Sequence, residues 1–169
     1  GKFTSSPGAV GCLLCPTGKF ANETGTVDCS PCPIGSAQIV PGSSECVPCV
    51  PGYAIALPGQ AQCRPCDPGY LSSINGSASC QECLSGSYQN LGAQSVCTAC
   101  AIGTYAASTK QLACKECPVG TAVNITGQSA CTPCVAGYYQ SQRHQGLCVQ
   151  CAPGRATDKA ATVGCPLCQ

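Results

Sequence analysis

The chain has 169 residues and a nearly neutral composition, with eight basic and seven acidic side chains and a net charge of +1. It lacks the basic face that neutralises phosphates, which argues against a nucleic-acid-binding role. With two Phe, six Tyr and no Trp or Met, it has few large side chains to fill a globular core. Because ordering such a chain costs much conformational entropy, we expect cross-links to contribute to its stability.

The twenty cysteines follow a strict period. They form ten Cys-x-x-Cys pairs, and each pair begins 17 residues after the previous one, from Cys12 to Cys165. A fixed period without insertions indicates a repeat array, in which each unit packs on its neighbours. We therefore treat residues 1–169 as one continuous array of about ten 17-residue repeats. Positions in a repeat are counted below from its first cysteine, which is position 1.

Two other positions of the repeat favour glycine. Position 7 is always glycine, and Gly1 has the same phase, which predicts a positive φ or a close backbone approach. The nine others at this position are Gly18, Gly35, Gly52, Gly69, Gly86, Gly103, Gly120, Gly137 and Gly154. Position 14 is glycine less strictly, because Ala93, Lys110, His144 and Ala161 replace it, and we interpret it as a turn that tolerates a side chain.

Between the cysteine pairs the sequence predicts short strands and turns. The 20 glycines and 14 prolines are spread evenly, and no long segment has a helical apolar period, so no helix is expected. Short β-prone stretches such as Gln38-Ile39-Val40 predict a pair of two- to four-residue strands in each loop. Aromatic residues follow position 7, and we expect them to pack on the adjacent disulfide, with a ligand-stacking platform as the alternative. They are Phe20, Tyr53, Tyr70, Tyr88, Tyr105, Tyr138 and Tyr139.

The cysteine content indicates disulfides, and hence an oxidising, extracellular setting. Three N-glycosylation sequons agree with it, at Asn22, Asn75 and Asn124, although each is also compatible with an ordinary surface asparagine. Sequence alone does not fix which cysteines pair. Bonds inside one Cys-x-x-Cys would make small strained rings, whereas bonds between successive pairs would each close a longer loop.

The second arrangement is our hypothesis for the connectivity. It joins the second cysteine of one pair to the first of the next: Cys15–Cys29, Cys32–Cys46, Cys49–Cys63, Cys66–Cys80, Cys83–Cys97, Cys100–Cys114, Cys117–Cys131, Cys134–Cys148 and Cys151–Cys165. Cys12 and Cys168 then have no partner within the chain. We therefore expect the repeat to continue beyond both ends, so that the chain is a segment of a longer protein that carries any targeting signal or anchor.

These features carry a family resemblance. Cys-Pro-x-Gly, an aromatic residue and a returning Cys-x-x-Cys resemble the ephrin-receptor-like cysteine-rich repeat and the first module of tumour-necrosis-factor-receptor repeats. The best examples are residues 15–29 and 117–131. The proline after the second cysteine is missing in several repeats, for example at Val50 and Asp67. The resemblance implies an elongated extracellular stalk of small β-loops with the same cysteine pairing. Long regular arrays of this kind are similar to those in surface and ciliary proteins of single-celled eukaryotes, including flagellar hairs.

Two other function classes fit the sequence less well. Cys-x2-Cys-x13-Cys-x2-Cys is a zinc-site spacing, but ten equally spaced pairs do not single out a site, and the sequons point outside the cell. A redox enzyme would use one Cys-x-x-Cys at the start of a helix. As a catalytic base, His144 would need a nucleophile and an orienting carboxylate, and the sequence identifies neither. Glu82 and Glu116 are interpreted as solvated charges.

The sequence therefore predicts a small disulfide-rich β fold: an elongated, helix-free array, without enzymatic activity, cofactor or metal. We expect an extracellular stalk, spacer or filament component, glycosylated and partnered by copies of itself or by other extracellular or filament proteins. The alternatives are the ligand-binding stalk of a cell-surface receptor and an intracellular zinc array. The candidate binding face of the receptor alternative is Lys110, Tyr138, Tyr139, Arg143 and His144.

Overall fold

The computed structural model describes residues 1–168, and it consists of very short strands joined by turns, with no helix among those residues. Every strand has two residues. The strands are β1 Lys2–Phe3, β2 Leu13–Leu14, β3 Lys19–Phe20, β4 Ser30–Pro31, β5 Ser36–Ala37, β6 Val47–Pro48, β7 Tyr53–Ala54, β8 Arg64–Pro65, β9 Tyr70–Leu71, β10 Gln81–Glu82, β11 Ser87–Tyr88, β12 Thr98–Ala99, β13 Thr104–Tyr105, β14 Lys115–Glu116, β15 Thr121–Ala122, β16 Thr132–Pro133, β17 Tyr138–Tyr139 and β18 Val149–Gln150.

Each odd-numbered strand forms a two-stranded sheet with the strand that follows it. The first strand occupies positions 8 and 9, directly after the glycine, and the second lies between the two cysteines of the next pair. In β3 and β4, for example, Lys19 faces Pro31 and Phe20 faces Ser30 in antiparallel register. Proline is compatible with these strands because each has only one partner and a free edge. The expected small disulfide-rich β fold is thus confirmed.

One predicted strand is displaced. Gln38, Ile39 and Val40 lie after β5, not within a strand. The reason is local hydrogen bonding: the Gln38 side-chain amide donates to Glu45 O at 2.8 Å, and Val40 N donates to Gln38 Oε1 at 2.9 Å. The side chain therefore organises a turn where the β-prone residues suggested an extended segment.

The backbone contacts divide the chain into two compact units. The first contains residues 1–81 and 91–96, and the second contains residues 82–90 and the chain from Cys97 onwards. Within each unit successive repeats are joined by the same hydrogen bonds. In the first unit, Gly18 N donates to Gln38 O at 2.7 Å and Gly42 N donates to Cys15 O at 2.8 Å. In the second, Gly103 N donates to Val123 O at 2.9 Å.

The buried interior is built mainly from cysteine and small residues. The second cysteine of eight pairs, from Cys15 to Cys134, is at most 1% exposed. Position 10 is also buried in eight successive repeats, whether its side chain is apolar or polar. Its occupants are Ala21, Gln38, Ile55, Ser72, Gln89, Ala106, Val123 and Gln140. Each repeat therefore buries the same small positions, which suits a chain poor in large side chains.

The glycine at position 7 is required for two reasons. All nine such glycines whose φ is defined have positive values, from 77° to 87°. In addition, a Cβ on Gly103 would lie 2.6 Å from the carbonyl oxygen of His144, which is at position 14 two repeats later. Gly18 has the same relationship to Gly59. Both the torsion and the close approach exclude a side chain.

Position 14 adopts a left-handed backbone even where it is not glycine. Ala93, Lys110, His144 and Ala161 have φ values of 58–60°. The turn therefore tolerates a side chain, but at the conformational cost that an L-residue pays in this region.

Candidate functional site

The disulfide ladder is the main chemical feature of the chain. Nine disulfides join the second cysteine of a pair to the first cysteine of the next, from Cys15–Cys29 to Cys151–Cys165, each with a separation of 14 residues. These are the same pairs that the hypothesis and the resemblance name. Their Cα atoms lie 5.6–5.8 Å apart, the usual span of a disulfide. Cys12 and Cys168 are free and exposed.

In seven of the nine disulfides, from Cys32–Cys46 to Cys134–Cys148, the first cysteine is buried and its partner is partly exposed. Cys117, for example, is fully buried, whereas its partner Cys131 is partly exposed. The sequence could not reveal this asymmetry, because the two cysteines belong to identical Cys-x-x-Cys motifs. The backbone N–H of the buried cysteine donates to the carbonyl of the glycine at position 7 of the preceding repeat, as in Cys117 N to Gly103 O at 2.9 Å.

Eighteen cysteines in disulfides cannot act as thiolate ligands, which removes the donors that an intracellular zinc array would need. Among residues 1–168 no group of three or more His, Cys, Asp or Glu side chains is placed to hold a metal ion. No helix within that range could cross a membrane.

Two acidic residues of the second unit each face a basic side chain. Lys110 Nζ lies 2.8 Å from Glu82 Oε1, and Thr109 Oγ1 donates to Glu82 Oε2 at 3.0 Å. The hydrogen bond from Lys110, followed by that from Thr109, lowers the pKa of the Glu82 carboxyl below its ordinary value. His144 Nδ1 lies 3.5 Å from Glu116 Oε1. Glu82 and Glu116 are both exposed, as the interpretation of solvated charges expects, and each also faces a basic side chain from the next repeat.

These pairs bear on the candidate receptor face. Lys110 and His144 occupy the same repeat position, and each is engaged by its own glutamate. Tyr138 lines a cleft described below, while the Arg143 backbone carbonyl accepts a hydrogen bond from Gln145. The structure thus gives the two most distinctive side chains, Lys110 and His144, a role within the array.

Clefts between successive repeats recur at equivalent positions. The cleft of about 410 Å³ that contains Ile39, Val50 and Tyr53 is lined by eleven residues. A second, of about 350 Å³, contains Asn124 and Tyr138 and is lined by the eleven residues at the same repeat positions, five repeats later. We call these the Tyr53 cleft and the Tyr138 cleft. Their linings contain no charged side chain.

A third cleft is closely related to these two. It has a volume of about 540 Å³ and contains Phe20 and Asn22. Seven of its eight lining residues correspond, one repeat earlier, to residues that line the Tyr53 cleft. We call it the Phe20 cleft. Position 11, at the side of each cleft, is Asn22, Ile39 or Asn124.

The three sequon asparagines are all exposed. Asn22 and Asn124 line clefts, and the hydroxyl-bearing residues of their sequons, Thr24 and Thr126, are exposed as well. Ser77 of the Asn75 sequon is instead only 8% exposed, and it accepts a 2.7 Å hydrogen bond from Ser72 Oγ. The three sequons therefore differ in their surroundings.

Sequence reasoning missed the buried glutamines at position 10. Gln140 is 4% exposed, its side-chain amide donates to Leu147 O at 2.7 Å, and its Oε1 accepts from Gln142 N at 3.1 Å. Gln38 makes the equivalent bonds in the first unit. Position 10 is also Ala, Ile, Ser and Val, so its composition gave little reason to expect a buried polar role.

Two of the predicted aromatic residues lie near a disulfide. Tyr53 lines an open cleft with Cys49 and Cys63, and Tyr138 lines one with Cys134 and Cys148. Phe3, which follows Gly1, packs against the cluster of Cys15, Ala21 and Cys29.

Tandem strand pairs, eight of the nine closed by a disulfide, define a cysteine-rich β-repeat protein of the kind found in extracellular modules. A family model described as tyrosine-protein kinase ephrin type A/B receptor-like matches residues 1–49, 86–127 and 120–168. The chain belongs to this ephrin-receptor-like family of cysteine-rich repeats. A comparison with curated proteins finds no match.

Proposed function

We propose that the chain is a non-enzymatic structural part of an extracellular protein, serving as a stalk, spacer or filament component. The observation that carries the proposal is the uniform bonding between repeats. Position 7 donates to position 10 of the next repeat at Gly18, Gly35 and Gly52 in the first unit. It does so again at Gly86 and Gly103 in the second. A uniform array suits a mechanical or spacing role, since a ligand site usually requires a departure from the pattern.

The proposed partners are other copies of the chain or other extracellular filament proteins. Exposed apolar side chains support this, because position 12 of three successive repeats in the first unit carries Val40, Leu57 and Ile74, which are 58–67% exposed. With only 15 charged residues in 169 (eight basic and seven acidic), charge repulsion between copies would be weak. Assembly into a hair or other filament on a flagellar surface is the specific setting that the family resemblance suggests.

Solution scattering of the full chain over a range of concentrations tests the proposal. A spacer should give a concentration-independent radius of gyration approaching ~40 Å, the value for a rod of roughly 150 Å, whereas a globule should give ~15–16 Å. A filament component should add a concentration-dependent increase in mass. The globular value at every concentration would contradict both forms of the proposal.

Two variants test whether the position-12 side chains form the contact between copies of the chain. Ile74→Ser removes one side chain of the position-12 set, and Val27→Ser removes an exposed apolar side chain at another repeat position, 68% exposed. Assembly through position 12 should be weakened by Ile74→Ser and unaffected by Val27→Ser. Equal effects would show that the contact lies elsewhere.

A further inference from the structure

The two sequon asparagines at position 11, Asn22 and Asn124, each line a cleft that contains an aromatic side chain. Asn124 and Tyr138 line the same cleft, although they belong to successive repeats. Asn22 and Phe20, which belong to one repeat, line another cleft, which also contains Glu45. In both cases, a potential attachment point for a sugar lies at the side of a cavity that also contains an aromatic ring.

The chemistry of the Tyr138 cleft suits a sugar. Its lining includes Val135, Tyr138 and Leu147 but no charged residue, and Tyr138 is 38% exposed. A pyranose ring is uncharged and has a face of C–H groups that packs on an aromatic ring, while its hydroxyls remain in water. The volume of about 350 Å³ lies within the range of roughly 300–1,000 Å³ for small-molecule sites.

We propose that the first N-acetylglucosamine of a glycan on Asn124 occupies the Tyr138 cleft and packs on the Tyr138 ring. The sugar then covers an apolar surface between two repeats and stiffens that junction. This inference rests on the extracellular setting of the proposed function.

The Tyr53 cleft supplies a matched control. It is lined by the same eleven repeat positions, but position 11 is Ile39, which cannot carry a glycan. Tyr53→Ser therefore removes an equivalent ring from a cleft that no attached sugar enters. Any effect of a glycan that depends on Tyr138 should be absent at Tyr53.

The test uses the full chain secreted from a eukaryotic host, with glycan occupancy measured by mass spectrometry. Asn124→Gln is combined with Tyr138→Ser and, separately, with Tyr53→Ser, and thermal midpoints are measured without reductant. We expect Asn124→Gln to lower the midpoint by about 2–4 °C when Tyr138 is present and to have no effect in the Tyr138→Ser background. In the Tyr53→Ser background, the loss should be the same as in the unmodified chain.

Nuclear magnetic resonance of the first sugar gives a second readout. We expect its ring protons to be shifted by the Tyr138 ring current, and Tyr138→Ser to abolish the shift. Two results would overturn this inference and leave the proposed function standing. One is that the effects of Asn124→Gln and Tyr138→Ser on the thermal midpoint are additive and the sugar protons show no ring-current shift. The other is that Asn124 carries no glycan in the secreted, disulfide-bonded chain. A chain that is neither glycosylated nor disulfide-bonded would overturn both.

Discussion

Lys110 Nζ lies 2.8 Å from Glu82 Oε1, which places position 14 of one repeat against position 3 of the repeat before it. His144 and Glu116 repeat this arrangement two repeats later. Where position 14 is glycine, position 3 differs: a Cβ on Gly42 would lie 2.6 Å from Leu14 Cδ2. The two positions therefore form one contact across the junction, and an acidic residue accompanies a basic one.

The first prediction concerns the titration of Glu82. Because Lys110 and Thr109 donate to its carboxylate, the pKa of Glu82 lies below its ordinary value of 4.5. Lys110→Gln should raise that pKa, and added salt should reduce the difference between the two chains. Side-chain carboxyl resonances followed against pH would measure both effects, and identical titration midpoints would contradict the pairing.

The same shift gives a pH dependence with a definite sign. A carboxyl whose pKa is depressed on folding contributes stability above its unfolded pKa and loses that contribution as the pH falls through the folded pKa. Lys110→Gln should therefore reduce the small difference in stability between neutral and acidic pH. The effect should be small because both side chains are nearly half exposed.

The second prediction concerns the left-handed turn. Ala161 has a φ of 58°, where an L-residue costs about 1–2 kcal/mol, so Ala161→Gly should stabilise the chain. Ala160→Gly is the control, since Ala160 is also exposed but is not among the residues with positive φ. It should be neutral or destabilise by about 0.4–1 kcal/mol through the unfolded state. Thermal unfolding that shows the same sign for both variants would contradict the explanation.

The third prediction separates the two requirements on the glycine at position 7. Gly86 and Gly137 have φ values of 84° and 82°, but only at Gly86 would a Cβ overlap a carbonyl, that of Gly127. Gly137→Ala should therefore cost only the conformational term, about 1–2 kcal/mol. Gly86→Ala should cost more, because the backbone at Gly127, two repeats later, must also shift. Denaturant unfolding should rank the two variants in that order, and equal losses would remove the role of the close approach.

The fourth prediction concerns the buried glutamine. Gln140→Leu leaves Leu147 O and Gln142 N without their side-chain partner, and because both hydrogen bonds are only partly buried the loss should be near the lower end of the about 1–3 kcal/mol of a buried unsatisfied group. Gln142→Leu changes an exposed neighbour, whose backbone N–H still reaches Gln140. Hydrogen exchange at the amides of residues 138–148 should accelerate in the first variant only. Unchanged protection in Gln140→Leu would show that water replaces the side chain without cost.

Much of the fold followed from the repeat alone, because Cys and Gly at fixed positions constrain the backbone directly. Gly18 and the Cys-x-x-Cys pairs on either side of it, for example, led to the hypothesis of a short strand pair in a loop closed by Cys15 and Cys29, although the sequence alone left the pairing open. The side-chain network did not follow in the same way. The contact between Glu82 and Lys110 spans 28 residues (110 − 82) and depends on how one repeat stacks on the next.

The candidate site shows the same limit. Asn124 is recognisable as a sequon, but nothing in the sequence places it beside Tyr138 of the following repeat. Likewise, Gln140 looks like any polar loop residue, and its burial is set by the packing of position 10 against neighbouring repeats. Contacts between repeats, unlike the turns within them, require the three-dimensional structure.

The disulfide ladder is the central feature of this account, and intact mass spectrometry of the native chain under non-reducing, denaturing conditions tests it most directly. After alkylation, we expect the mass to show eighteen hydrogens lost to nine disulfides, with two thiols modified, at Cys12 and Cys168. Non-reduced peptide mapping should recover Cys15 with Cys29 and each later bond in the same pattern. Twenty alkylated thiols, with a metal ion released on denaturation, would contradict the account and identify an intracellular metal-binding array.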